Sequence, residues 1–176
     1  YDAVGRLLAL GAQRAPPPLQ LSSRCRAVVR DGLLRIDFPP GPPPPPVALP
    51  ASGCVRWGVL DIRVEPFRGI ASEARGIGAY PAVCTLAADR AREAQLVVRT
   101  RQAGDRIAPV GLSGTKKLQD LFVDAKVARE ARGAIPVLAS GDEVVWVPGY
   151  RVSRRFAVPS PNACSVRIAV TEAPGR

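Results

Sequence analysis

The sequence predicts an α+β fold: a small, β-sandwich-like mixed domain of short strands with one or two helices, preceded by a helix-hairpin remnant of another domain. Three observations predict it. Short β-rich runs recur between turn residues from Cys25 to Val170, only Lys116 to Val127 sustains a helical apolar stripe, and a block with eight prolines divides the chain at residues 39–50. A chain of 176 residues holds one domain or two small ones and can bury a core. The proline block, with five in succession from Pro42, reads as a stiff, extended linker. The expected organisation is therefore residues 1–38 as one remnant, 39–50 as the linker and 51–176 as the main domain.

The elements follow in order. Tyr1 to Leu10 places Val4, Leu7 and Leu8 at helical spacing, and Pro16 to Pro18 ends that helix. The runs Ala27–Val29 and Leu33–Ile36 flank Asp31-Gly32, the favoured pair for a tight hairpin turn. Val55–Val64, Val83–Leu86 and Leu96–Arg101 read as strands, with a glycine-bearing loop over residues 68–78. Leu118, Leu121, Phe122 and Ala125 form the stripe of a helix over 116–127, followed by a weaker helical turn over 128–133. Strands return at Ile135–Leu138, Val144–Val147 and Val166–Val170, with turns at Gly141-Asp142 and Pro148-Gly149.

Charge narrows the partner. The 25 Lys and Arg exceed the 15 Asp and Glu by ten, which suits a polyanion and above all nucleic acid. No apolar run approaches a membrane span, no basic amphipathic helix stands out and no signal peptide is visible, so no membrane partner is expected. The chain lacks His, the usual general base and commonest zinc ligand. Cys25, Cys54, Cys84 and Cys164 are too widely spaced for a zinc or dithiol motif and read as free thiols of a cytoplasmic protein. No metal site and no catalytic residue is expected. The chain has no Met and starts within an apolar helical pattern, which suggests a fragment of a longer protein.

One region concentrates the functional signal: Gly104-Asp105-Arg106, then Gly111 to Lys117, then Asp124 to Val127, then Trp146 to Tyr150. Lys116 and Lys117 fall in the first turn of the expected helix, where the macrodipole disfavours cations. Beside a glycine-rich turn and free helix N–H groups they would make a phosphate site, and a solvated helix end with ion pairs is the plainer alternative. All three lysines of the chain, Lys116, Lys117 and Lys126, lie here. The segment is not a Walker A loop, because only two residues separate Gly111 from Gly114 and no Ser or Thr follows the lysine. Asp105 reads as an ion-pair or turn residue. Trp146 and Tyr150 read as core residues before base-stacking platforms.

These motifs resemble the C-terminal domain of the tRNA(Ile)-lysidine synthetase family. The family pattern is met by Arg99, Arg101, Gly104, Asp105, Arg106, Pro109, Gly111 and Gly114, then by Lys116, Lys117, Leu118, Asp120, Asp124, Lys126, Val127 and Arg132. Trp146, Val147, Gly149 and Arg151 complete it, while Leu112 stands for the family's Met and Ala128 for its Pro. The first fifty residues resemble, more loosely, the end of the family's central substrate-binding domain. The resemblance implies a cytoplasmic ATP-dependent ligase, with ATP and Mg confined to an N-terminal catalytic domain whose S-G-G-x-D-S loop this chain lacks. It implies isoleucine tRNA with a CAU anticodon and that catalytic domain as partners, and leaves a homodimer open.

This piece is then expected to clamp the tRNA acceptor stem through phosphate and shape contacts, without a cofactor. The candidate contacts are Arg99, Arg101, Arg106, Lys116, Lys117, Lys126, Arg129, Arg132, Arg151, Arg154 and Arg155, on a frame set by Gly104, Asp105, Gly111, Gly114, Trp146 and Gly149. A stand-alone RNA-binding adaptor, or a structural or protein-interaction domain whose cations serve solubility and internal ion pairs, are the alternatives.

Overall fold

The computed structural model describes residues 19–22, 25–30, 33–37, 42–72, 76–129 and 131–174, in two compact units that divide at Pro42 and Pro43. In the first unit, β1 (Leu19–Ser22), β2 (Cys25–Arg30) and β3 (Leu33–Asp37) form an antiparallel sheet in that order. Arg30 lies opposite Leu33, the register a two-residue connection produces. The expected helix over 1–10 lies outside the described residues.

The second unit is built of two four-stranded antiparallel sheets. One takes the order β5 (Gly53–Trp57), β6 (Leu60–Arg68), β13 (Cys164–Glu172), β7 (Ala82–Ala87). The other takes the order β12 (Glu143–Trp146), β11 (Val137–Ser140), β8 (Leu96–Arg99), β4 (Val47–Ala48). Alternate residues of a strand face opposite sides, and Ile62 and Val64 of β6 and Ile168 and Val170 of β13 are buried on that period. Ile62, Leu86, Ile168 and Val170 of the first sheet join Val98, Leu138, Val145 and Trp146 of the second in one core cluster. The second sheet's other face, through Val137 and Val144, meets Leu118, Leu121 and Phe122 of α2 (Leu118–Asp124). A bulge in β12 explains the sorting: Leu138 pairs with Trp146 and Ala139 with Val144, so the extra residue lets Val145 and Trp146 share the main core.

The α+β, sandwich-like class read from the sequence describes this unit, and several element boundaries are corrected. The strand expected over 55–64 is the hairpin β5–β6, reversing at Gly58, whose φ of +60° suits a residue without Cβ. A short helix, α1 (Ala88–Glu93), was not expected, and the weak helical turn over 128–133 is a series of turns among the described residues. The end of the proline block belongs to the second unit. Trp57 Nε1 donates to the Pro45 carbonyl at 3.0 Å, β4 pairs with β8, and the Leu49 amide donates to the Leu96 carbonyl at 2.8 Å. Among the described residues no helix is long and apolar enough to cross a membrane.

Candidate nucleic-acid interface

The glycine loop over 111–115 is held by three arginines from two segments of the fold, one in β9 and two after the Pro148-Gly149 turn. Arg106, in β9 (Arg106–Ile107), donates from Nε to Thr115 Oγ1 at 3.0 Å. Arg151 Nη1 reaches the Val110 carbonyl at 3.3 Å, and Arg154 Nη2 donates to the Gly114 carbonyl. Backbone bonds fix the two approaching segments, for Val110 N donates to Val152 O at 2.9 Å and Arg154 N to Ala108 O at 2.8 Å. These arginines meet neutral acceptors, so their charge is not cancelled there, and all three are exposed. Gly111 has φ +76° and a Cβ on it would lie 3.2 Å from Arg151 Nη1, so a side chain would strain the turn and crowd the guanidinium.

The lysines occupy a different position from the expected one. Lys116 and Lys117 form β10, opposite Ile107 and Arg106, and α2 begins only at Leu118. Lys117 is the extended N-cap residue, at φ −67° and ψ 138°, and Leu118 N donates to the Asp105 carbonyl at 2.9 Å. The helix has seven residues and ends where Lys126 takes φ +54°, a left-handed conformation rare outside glycine. The phosphate site expected at a helix N-terminus is therefore replaced by lysines presented from a strand. Alternation turns them apart: Lys116 pairs with Asp124 at 2.5 Å, and Lys117 is exposed. The hydrogen bond from Lys116 to Asp124 holds the ammonium above its usual pKa of 10.5, so it stays charged through neutral pH.

Asp105 supports this arrangement from below. Arg99 at the end of β8 donates from Nη1 and Nη2 to the two Asp105 oxygens at 2.9 and 2.8 Å, and Gln102 N donates to Asp105 Oδ2 at 2.7 Å. Both residues are buried, Arg99 at 6% and Asp105 at 9% exposure. A buried carboxylate with its acceptors filled and its charge matched is a brace. The ion-pair reading of Asp105 holds, and Arg99 leaves the group of RNA contacts because its guanidinium is enclosed.

The remaining candidates fall in two places. Arg101, Arg129 and Arg132 line an open depression of about 450 Å³ that also touches Thr100 and Gly133. Arg132 Nε donates to the Val127 carbonyl at 3.0 Å, and Lys126 is exposed at the end of α2. Arg155 instead pairs with Glu143 at 3.0 Å, which reduces its net charge. Trp146 is a core residue at 1% exposure, its indole N–H donating to the Tyr150 carbonyl at 2.9 Å, so it offers no stacking face. That bond closes the Pro148-Gly149 turn, where Gly149 has φ +84° and a Cβ would lie 2.0 Å from the Gly76 carbonyl oxygen. Gly104 and Gly114 have φ of +89° and +77°. Sequence reasoning missed Thr115 as the anchor of Arg106, because an isolated Thr after a glycine turn carries no periodic signal.

A family model described as the TilS substrate C-terminal domain matches residues 96–169, the span from β8 through most of β13. The tRNA(Ile)-lysidine synthase of Symbiobacterium thermophilum is 51% identical over 79 residues, covering 45% of this chain and 16% of that protein. The enzyme of the same name from Caldanaerobacter subterraneus subsp. tengcongensis is 52% identical over 64 residues, covering 36% of this chain and 14% of that protein. A crystal structure of a TilS C-terminal domain superposes with a TM-score of 0.55 and 26% identity, covering 75% of this chain and all of that one. The chain thus spans about one sixth of the length of these curated relatives. Sequence and fold point the same way: residues 96–169 are similar to the TilS substrate C-terminal domain, and the chain's fold is similar to that of a solved TilS C-terminal domain.

Proposed function

We propose that this chain is the tRNA-binding C-terminal portion of a tRNA(Ile)-lysidine synthase, a cytoplasmic ATP-dependent ligase that joins lysine to the wobble cytidine of an isoleucine tRNA with a CAU anticodon. In this reading the chain holds the acceptor stem while an N-terminal domain performs the chemistry. The observation that carries it is the clasp of Arg106, Arg151 and Arg154 around the glycine loop, with Lys117 beside it. Arg106 of β9, Lys117 of β10 and Arg154 are exposed and meet no carboxylate among the described residues, whereas Lys116 and Arg155 are paired. Paired phosphates of a helical stem are the ligand such a surface suits, because A-form RNA exposes backbone and conceals its major-groove base edges. ATP and Mg belong to the catalytic domain in this reading. The chain has no S-G-G-x-D-S loop, and among the described residues no three His, Cys, Asp or Glu converge as metal ligands would. No catalytic step is therefore assigned to its residues.

The test compares two charge-matched double variants across a salt series. Lys117→Ala with Arg154→Ala is expected to weaken binding to isoleucine tRNA and to lower the salt slope by up to about 2, at roughly 0.7–0.9 per lost phosphate contact. Arg63→Ala with Arg68→Ala removes the same charge from exposed positions on β6 and is expected to leave the slope unchanged. Equal losses in both would favour a nonspecific basic surface serving solubility.

A further inference from the structure

A pocket of about 200 Å³ lies beside the glycine-loop clasp, and no feature of the phosphate-binding surface accounts for it. Its walls are chiefly apolar, from Ile70, Val110, Tyr150, Val152 and Val158, with Cys84 and Thr85 of β7 contributing as well. Burial raises the Cys84 thiol well above its usual pKa, so it presents a neutral wall rather than a thiolate. The Thr85 hydroxyl is already engaged by the backbone of residue 71, accepting from Ala71 N at 3.1 Å and reaching Ala71 O at 3.4 Å. Polar capacity at the wall is thus largely left to Ser72, the Tyr150 phenol and the Arg151 guanidinium. The volume is below the roughly 300–1,000 Å³ of sites for drug-sized ligands, and suits a single ring system.

Two exposed apolar side chains belong to this pocket. Ile70 is 60% and Val110 38% exposed, and a flat apolar ligand seated here would remove both from water. The pocket is also continuous with the cation cluster, because Arg151 lines it while donating to the carbonyl of Val110, which lines it too. A phosphate held by Arg151 would therefore adjoin the pocket that the same residue lines. Unpaired bases are what proteins take from RNA in such places, seating them against aromatic, apolar and guanidinium surfaces.

We propose that the pocket between Ile70, Val110, Tyr150 and Arg151 receives one unpaired nucleobase projecting from the end of the RNA stem whose backbone the clasp holds. The proposal rests on the RNA-binding reading above and adds a base site to it. With few polar groups at the wall, discrimination comes from stacking area, so a purine is held better than a pyrimidine.

The experiment uses the whole chain and two RNA stems of identical base pairs, one blunt and one with a single-nucleotide 3′ purine overhang. The overhang is expected to tighten binding roughly 5- to 100-fold, the range of one stacked base. Ile70→Ala is expected to abolish much of that gain while leaving blunt-stem affinity and its salt slope unchanged. Val59→Ala, at a 77% exposed apolar side chain elsewhere, should retain the full gain. The Ile70 side chain is 60% exposed and takes no part in the clasp, so folding is not at stake. Equal affinity for both stems, or a gain untouched by Ile70→Ala, overturns the base site alone. Failure to bind either stem removes the stem-holding reading and the base site with it.

Discussion

Tyr80 packs at the margin of the main core, where burial first and the nearby Glu172 second push its phenol up to about pKa 12. An unfolded tyrosine ionises near 10, so the folded chain retains a proton that the unfolded chain releases. That contribution to stability is fully present below about pH 10 and is lost as pH rises through about 12. Tyr80→Phe is expected to show a shallower fall in urea midpoint than the native chain between these limits. Identical alkaline slopes for the two proteins would contradict the assignment. Single residues also show what a sequence conceals: Arg99 has the same composition signal as Arg101, yet one is enclosed with Asp105 and the other lines an open depression. Burial distinguishes them, and burial depends on how β8 meets β9 and α2.

At the scale of elements, Asp105 joins three pieces: Arg99 from β8, the turn at Gln102, and the first amide of α2. Asp105→Asn leaves the Arg99 guanidinium buried without a countercharge, a change that costs about 3–5 kcal/mol in comparable pairs. Urea unfolding is expected to show a loss of that order. RNA binding should fall as well, since β9 and β10 carry Arg106, Lys116 and Lys117 on this brace. A loss under about 1 kcal/mol would mean that the pair is not a structural brace. The helix stripe at Leu118, Leu121 and Phe122 was legible in the sequence, whereas its start was not. Lys116 and Lys117 have ordinary helix propensity, and only pairing with Ile107 and Arg106, across the glycine loop, draws them into a strand. The β5–β6 hairpin was missed for a similar reason, because Gly58 interrupts an apolar run without a second turn residue to mark it.

Across the whole molecule, the fold class was legible because short strands, turn pairs and one helical stripe all agreed. The sorting of strands into two sheets was not, since β13 pairs with both β6 and β7, Cys164 opposite Arg68 and Ser165 opposite Ala87, across long stretches of chain. The cation cluster was legible in composition and motif, while the pocket beside it was not: Ile70, Val110 and Tyr150 meet only through tertiary packing. The surplus of ten positive charges acquires direction once Arg99 and Arg155 are paired and Arg106, Arg151, Arg154 and Lys117 gather at one loop. The central claim is that this surface holds a tRNA stem. Its most direct test is the affinity of the chain for isoleucine tRNA, for the isolated acceptor-stem minihelix and for an unstructured RNA of equal length, across a salt series. Comparable binding to tRNA and minihelix, both tighter than to the unstructured control, is the expected result; equal binding to all three, or binding to none, would contradict it.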